Sequence, residues 1–160
     1  MDRLWSPWRY RYVSTTGPEN PCVFCRILEE NRDEANYIVL RARHNFLMLN
    51  LYPYTSGHLM IAPYQHVAGL TEAGGVVRAE MIEMTARAEQ ALNAIYKPHG
   101  INLGMNLGES AGAGVAGHIH MHVLPRWYGD ASFMSVVAET RVLPEELETT
   151  YKRLKVELTR

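Results

Sequence analysis

Three histidines at alternating positions are the residues of this sequence most suited to chemistry. His118, His120 and His122 alternate with Ile119 and Met121. Successive side chains of a β-strand point to opposite faces, so the spacing predicts a strand with three imidazoles on one face and apolar side chains on the other. A neutral imidazole is nucleophilic near neutral pH and can form a covalent intermediate. Because a buried polar group without a partner costs about 1–3 kcal/mol, the three rings need metal, anion or hydrogen-bond partners.

The residues directly before the histidines form a glycine-rich loop. Residues 108–117 contain four glycines, which allow positive φ angles and a close approach of the backbone to a ligand. Such a loop can direct several N–H groups at a phosphate. No Gly-Lys-Ser or Gly-Lys-Thr sequence follows, so the loop is not a P-loop. Its position immediately before three histidines predicts a phosphate site beside a nucleophile.

A second candidate site involves the two cysteines of the chain, Cys22 and Cys25. A two-residue gap allows both thiolates to face one ion, but a zinc site needs two further ligands. The alternative is a pair of reduced, buried cysteines or a redox pair. The candidates for the further ligands are all histidines: His44, His58, His66, His99 and the three histidines of residues 118–122.

Strand and helix patterns on either side of these motifs predict an α+β fold. We expect an antiparallel sheet of about five strands with one long helix and a C-terminal helix. Residues 76–96 have a helical apolar face, in which Met81 and Met84 are expected to fill the core. The expected strands are 37–40, 46–51, 58–62, 101–107 and the histidine stretch, with a turn at His44-Asn45; the other expected helices are 26–31 and 145–158.

The overall composition favours a single domain. The chain has 160 residues and a formal net charge of −1, which provides no electrostatic argument for nucleic acid or for an acidic membrane surface. No apolar run approaches the roughly 20 residues needed to span a bilayer, and the N-terminus is not typical of a signal peptide. We therefore expect a cytoplasmic protein. We divide it into an N-terminal arm at 1–20, a folded body at 21–130 and a C-terminal extension at 131–160.

Two blocks of the sequence resemble a known family. Residues 118–124 resemble the His-φ-His-φ-His-φ-φ signature of the histidine triad superfamily of nucleotide hydrolases and transferases, where φ is an apolar residue. Residues 50–63 are similar to an earlier block of that family, with an Asn, a Gly-His pair and a Pro. The resemblance covers roughly residues 22–126. Residues 4–9 and the tail around Phe133-Met134 are similar to a bacterial branch described as diadenosine tetraphosphate phosphorylase-like.

The resemblance implies a mechanism. His120 would attack the α-phosphorus of a nucleotide to give a nucleotidyl-histidine, His122 would hold a phosphate oxygen, and His118 would orient the site or bind zinc. A backbone carbonyl or a neighbouring side chain must fix the tautomer of His120. In zinc-containing relatives the ligands after Cys22 and Cys25 correspond to His66 and His118, and such a zinc would be structural because four protein ligands leave no open position.

The resemblance also implies a nucleotide site. Asn50 would bind the ribose, and the glycine loop would bind phosphates, although residues 113–115 lack the Gln, Ser or Thr of some relatives. Trp127 and Arg126 have two open interpretations, as contacts to the distal part of an extended substrate or as contacts between subunits. The full set of expected nucleotide contacts is Ile27, Asn50, Asn106, Gly112, Ala113, Gly114, Val115, His120, His122 and Trp127.

The best specific expectation is a diadenosine tetraphosphate phosphorylase or hydrolase, with phosphate or water as acceptor. A purine nucleoside phosphoramidase uses the same chemistry and is the first alternative. A nucleotide-binding module without turnover is the second, and a zinc-histidine storage protein is a third that the glycine loop disfavours. Relatives pair their long helices and join their sheets, so a homodimer is expected.

Overall fold

The computed structural model describes residues 22–130 and 144–159. The expected arm at 1–20 and the tail motif at Phe133-Met134 lie outside these residues. The described elements, in chain order, are α1 (Val23–Glu30), β1 (Ile38–Arg41), β2 (Asn45–Leu49), β3 (Leu59–Pro63), α2 (Gly75–Tyr96), β4 (Gly100–Gly104), a 3₁₀ turn (Glu109–Ala111), β5 (Met121–Arg126) and α3 (Leu147–Leu158).

The five described strands form one open antiparallel sheet. Their order is β1-β2-β3-β5-β4, and each neighbouring pair runs antiparallel. The α+β prediction is therefore confirmed, and β4 lies at an edge of the sheet. This order places β5, which carries His122, between β3 and β4.

Both faces of the sheet are covered by apolar side chains. In β2, Leu47 and Leu49 belong to a large core with α2 and α3, while Phe46 and Met48 belong to a smaller cluster with Phe24 of α1. A strand whose two faces are both buried reads as a continuous apolar run, which explains the composition of residues 46–49. The sheet thus separates a structural core from the side on which the histidines lie.

Helix α2 matches its prediction closely. It spans Gly75–Tyr96, and Met81 and Met84 are buried in the large core as expected. The helix ends where Lys97 adopts a left-handed φ of 46° and its N–H donates to the carbonyl of Asn93. No helix among the described residues is long and apolar enough to cross a membrane.

The strand that carries the histidines is shorter than its alternation predicts. It begins at Met121, so His118 and His120 precede the regular ladder. The pairing with β3 begins at Met121, opposite Ile61, and the N–H of Ile119 donates to the carbonyl of Val67 (2.8 Å) instead. The strand β3 ends at Pro63, which has no N–H to donate to a ladder. Residues 118–120 therefore lie outside the regular ladder between β3 and β5.

Three other expected boundaries also differ. Helix α1 begins at Val23 rather than Arg26, and β4 ends at Gly104 rather than at residue 107. Asn45, expected in a turn, is the first residue of β2. Its buried amide donates to the carbonyl of Val77 (3.1 Å) and to Glu80 (2.8 Å), so tertiary partners override its preference for turns.

Candidate active site and metal centre

The three histidines share one side of the sheet, as their spacing predicts. The ring of Phe24 lies 5.1 Å from His118 and 5.0 Å from His120, measured between centroids, and the rings of His120 and His122 lie 4.8 Å apart. Ile119 and Val123 point into the opposite core. All three histidines are buried, so each ring needs an internal partner.

The tautomer of His120 is set by the backbone. Its Nδ1 lies 2.9 Å from the carbonyl oxygen of His118, and a carbonyl can only accept. The proton therefore lies on Nδ1, and Nε2 presents a lone pair. Burial lowers the pKa of His120, which keeps the ring neutral near pH 7. The arrangement meets the chemical requirement for a nitrogen nucleophile.

His122 is held in the opposite tautomer by His58. The main-chain N–H of Tyr54 donates to Nδ1 of His58 (3.2 Å), so the proton of His58 lies on Nε2. That nitrogen is 2.9 Å from Nδ1 of His122 and donates to it, which leaves the proton of His122 on Nε2. Burial, and secondarily the charge of His120, lowers the pKa of His122 to about 4. His122 is thus a neutral hydrogen-bond donor.

His58 donates a hydrogen bond to His122, a contact that the sequence around His58 does not predict. The Gly-His pair at residues 57–58 allows two interpretations, support of the site or capping of a strand edge, and the structure favours support. His58 is 1 % exposed and lies just before β3. Nδ2 of Asn50, at the end of β2, lies 3.3 Å from its Nδ1.

The glycine loop forms a compact turn beside the histidines. Gly108 and Gly112 adopt φ angles of +84° and +91°, a region that glycine enters without strain. The amide of Asn106 donates to the carbonyl of Gly112 (3.3 Å), which ties the end of β4 to the loop. Val115 packs on the Phe24 cluster, and residues 112–115 are half-buried. The structure therefore brings the predicted phosphate loop next to the histidine side of the sheet.

The remaining predicted nucleotide contacts are dispersed. Ile27 is buried in the Phe24 cluster. Trp127 follows β5 and packs edge-on against Tyr96, with 6.3 Å between centroids. Arg126 is held by an ion pair with Asp130 (2.5 Å) and donates to the side-chain oxygen of Asn102 (2.7 Å). Intramolecular contacts thus orient both side chains at the end of β5.

Four potential metal ligands converge beyond His118. One ligand atom from each of Cys22, Cys25, His66 and His118 lies within 4.8 Å of the other three. Sγ of Cys22 is 3.3 Å from Nδ1 of His118, and Sγ of Cys25 is 3.3 Å from Nδ1 of His66. Burial and the neighbouring Cys22 raise the pKa of Cys25, which favours the neutral thiol. A bound cation would act in the opposite direction and favour the thiolate. Of the histidines considered as further ligands, His66 and His118 are the two that lie beside Cys22 and Cys25.

The tautomer of His118 fits metal binding. Its Nε2 lies 2.8 Å from the carbonyl oxygen of Pro63 and must donate to it, which leaves the lone pair of Nδ1 facing the two thiols. Two thiolates and two neutral imidazoles are a common tetrahedral zinc set. Because the carbonyl of His118 also accepts from His120, one residue joins the four potential metal ligands to His120.

Comparisons with known proteins define the class. Residues 31–128 match the HIT domain family, and the chain belongs to that family. Among curated proteins, AP-4-A phosphorylase of Mycobacterium tuberculosis (strain ATCC 25618 / H37Rv) is 37 % identical over 100 % of this chain and 86 % of the relative.

Solved structures agree with this assignment. A Zn-bound histidine triad family protein from Mycobacterium smegmatis superimposes with a TM-score of 0.70 at 28 % identity, covering 86 % of this chain and 93 % of that one. A histidine triad nucleotide-binding protein from Sulfolobus tokodaii has a TM-score of 0.70 at 26 % identity, covering 86 % and 92 %.

Proposed function

We propose that this protein is a nucleotidyl hydrolase or transferase that cleaves dinucleoside polyphosphates at the α-phosphate, with diadenosine tetraphosphate as the best candidate substrate. The observation that carries the proposal is the opposite tautomers of His120 and His122, which place a nucleophilic nitrogen beside a neutral donor. The full-length likeness to an AP-4-A phosphorylase supports the choice of substrate.

The proposed reaction has two steps at phosphorus. Nε2 of His120 attacks the α-phosphorus, an N–P bond forms, and the bond to the leaving nucleotide breaks with its electron pair on the leaving oxygen. Nε2–H of His122 donates a hydrogen bond to a phosphate oxygen and stabilises the charge that develops there. An oxygen of phosphate or of water then attacks the same phosphorus, a P–O bond forms, and the N–P bond breaks with its electron pair returning to Nε2 of His120. When water attacks, its proton is released to solvent.

The proposed substrate contacts follow the chain from β2 to β5. Asn50 binds ribose hydroxyls, and the apolar surface around Ile27 and Val115 receives the first base. Asn106 and the amides of residues 112–115 bind phosphates. Trp127, at the end of β5, contacts the second nucleoside. Support comes from the position of the glycine loop beside the histidine face.

We also propose that Cys22, Cys25, His66 and His118 hold a structural zinc ion. Bound zinc would cross-link α1, the segment after β3 and the histidine stretch, and four protein ligands would leave it no position for a reactive water. The proposal is supported by the convergent donor atoms and by the Zn-bound relative. Cys22 and Cys25 must stay reduced to bind zinc, which favours a reducing compartment, so we place the protein in the cytoplasm; cell fractionation tests this.

We propose a homodimer joined along the edge of the sheet. Strand β4 lies at that edge, and only Ile101 of its five residues is partly buried. Leu103 on β4 and Ile82 on α2 are 51 % and 61 % exposed. An edge strand with open N–H and C=O groups favours pairing with a second chain. Light scattering should give twice the 18.2 kDa chain mass; a monomer would overturn this proposal.

Product analysis with diadenosine tetraphosphate tests the proposed function. ADP plus ATP only in the presence of inorganic phosphate establishes a phosphorylase, and AMP plus ATP in either buffer establishes a hydrolase. No turnover in either buffer rejects the substrate. A phosphoramidate substrate then decides between the phosphoramidase alternative and a binding module without turnover.

A further inference from the structure

Tyr54 contacts the His58–His122 pair in two ways. Its main-chain N–H donates to Nδ1 of His58, 3.2 Å away. Its ring centroid lies 4.8 Å from that of His58 and 6.2 Å from that of His122, with an angle of 29° between the Tyr54 and His122 planes. One residue of the loop between β2 and β3 therefore touches both members of the pair.

The Tyr54 ring is the outer layer of this arrangement. His58 and His122 are 1 % and 9 % exposed, whereas Tyr54 is 39 % exposed. A ring in this position limits the access of water to the 2.9 Å hydrogen bond between the imidazoles. Exclusion of water strengthens such a bond and disfavours a charged imidazolium.

The other neighbours of His122 do not provide this cover. On β3 it is opposite Met60, which is apolar and uncharged, and on β4 it is opposite Gly104, which has no side chain. The space that a Cβ of Gly104 would occupy has no atom within 4 Å. Among residues 22–130 and 144–159, the titratable groups that face His122 are His58, His120 and Tyr54 itself.

The loop that carries Tyr54 is anchored directly after this residue. The hydroxyl of Thr55 donates to the carbonyl of Pro125 (3.1 Å), which fixes the loop to β5. Gly57 adopts a φ of +83°, and a Cβ there would lie 3.0 Å from Leu92 and 3.1 Å from Tyr96. The backbone that follows Tyr54 thus has a defined position, and the ring is placed by the fold.

We propose that Tyr54 is a positioning residue for His122: its ring shields the His58–His122 hydrogen bond and keeps His122 in the neutral form that donates from Nε2. The role of His122 toward a phosphate oxygen rests on the proposed function. The state of the His58–His122 pair does not, because it can be measured in the free protein.

Imidazole ¹⁵N NMR of the full chain tests the proposal. Tyr54→Phe keeps the ring and should leave the tautomers of His58 and His122 unchanged. Tyr54→Ala keeps the main-chain donor but removes the ring, so the pKa of His122 should rise from about 4 toward its ordinary 6.5 and its tautomers should mix. Tyr52→Ala, at an exposed tyrosine two positions away, is the matched control and should change neither property.

Kinetics add a second readout if diadenosine tetraphosphate is turned over. Tyr54→Ala should lower the rate of nucleotidyl-His120 formation by about tenfold to a hundredfold, with a smaller change in KM. Unchanged NMR with a raised KM would overturn the proposal and indicate that the ring stacks on substrate. If Tyr54→Ala does not fold, Tyr54→Leu replaces it, and unchanged NMR in that variant also overturns the proposal. Failure of turnover alone affects only the proposed function.

Discussion

The two sides of His120 differ although both contain a pair of histidines. On one side, His118 donates from Nε2 to Pro63 and directs a bare Nδ1 at two thiols. On the other side, His122 accepts at Nδ1 from His58 and presents a protonated Nε2. The first arrangement suits a cation and the second suits an anion. The difference shows that the hydrogen-bond partner, and not the residue type, decides the chemistry of an imidazole.

His120, the proposed nucleophile, lies between these two sides, and removing it has the largest expected effect. His120→Ala should abolish the covalent nucleotidyl adduct and reduce turnover by more than about 10³-fold, since no other described histidine combines a free Nε2 with this position. Intact-mass spectrometry after mixing with substrate measures the adduct. Nucleotide binding should persist, and an adduct in the variant would assign the nucleophile to another residue.

Loss of a metal ligand should destabilise the first side without altering the second. Zinc binding stabilises only the folded chain, so its loss lowers the free energy of unfolding. When the free zinc concentration is 100–1,000 times the Kd of the wild-type site, Cys25→Ser should lower that free energy by roughly 3–4 kcal/mol. Metal analysis and denaturant titration measure the two quantities. His99→Ala, at an exposed histidine outside the cluster, is the control; equal stability of Cys25→Ser and His99→Ala would refute the metal site.

Removal of the support for His122 tests the second side. His58→Ala leaves Nδ1 of His122 without its donor and should slow formation of the nucleotidyl-histidine by about a hundredfold. Metal content should stay at the wild-type level, since none of the four ligands contacts His58 through a described hydrogen bond. Rapid-quench kinetics measure the rate. A wild-type rate would show that His122 does not depend on His58.

The pH dependence of stability should carry the signature of His122. Its pKa is about 4 in the folded chain against an ordinary 6.5, so between these values the unfolded chain binds more protons. The free energy of unfolding therefore falls as pH drops through this window, by at most about 1.4 kcal/mol per pH unit from this group. Urea titrations from pH 7 to pH 4 measure the slope, and His122→Gln should reduce it. An equal slope in the variant would contradict the assignment.

The smallest expected effect comes from crowding one metal ligand. A Cβ at Gly117 would lie 3.3 Å from Nε2 of His66, so Gly117→Ala should shift that ring by a few tenths of an ångström. Zinc affinity should fall severalfold, while the tautomers of His58 and His122 stay unchanged. Competition with a chromogenic chelator measures the affinity. A change in the NMR signals of His122 would show that the two sides are not independent.

Local patterns determined the parts of this protein that depend on neighbouring residues. The apolar spacing of residues 76–96 is sufficient for α2, and the alternation at 118–122 placed three imidazoles on one side of the sheet, because side-chain direction follows the local backbone period. The resemblance to the histidine triad family predicted the four metal ligands, which no local pattern indicates. The start of β5 at Met121 was not predictable, because it depends on where β3 ends at Pro63.

Tertiary structure decided everything that depends on distant partners. The sequence supplied a nucleophile candidate and several possible ligands, but His58 and His122 are 64 positions apart, and Cys22 and His118 are 96 apart. No periodicity encodes such pairs. The antiparallel pairing of β3 with β5 brings His58 to His122, and the packing of Phe24 in α1 on His118 brings Cys22 to that ring. The tautomers follow from these contacts, because a proton on a ring nitrogen is fixed by the group it faces. The residue types were therefore set by the sequence, and their protonation and roles were set by the fold.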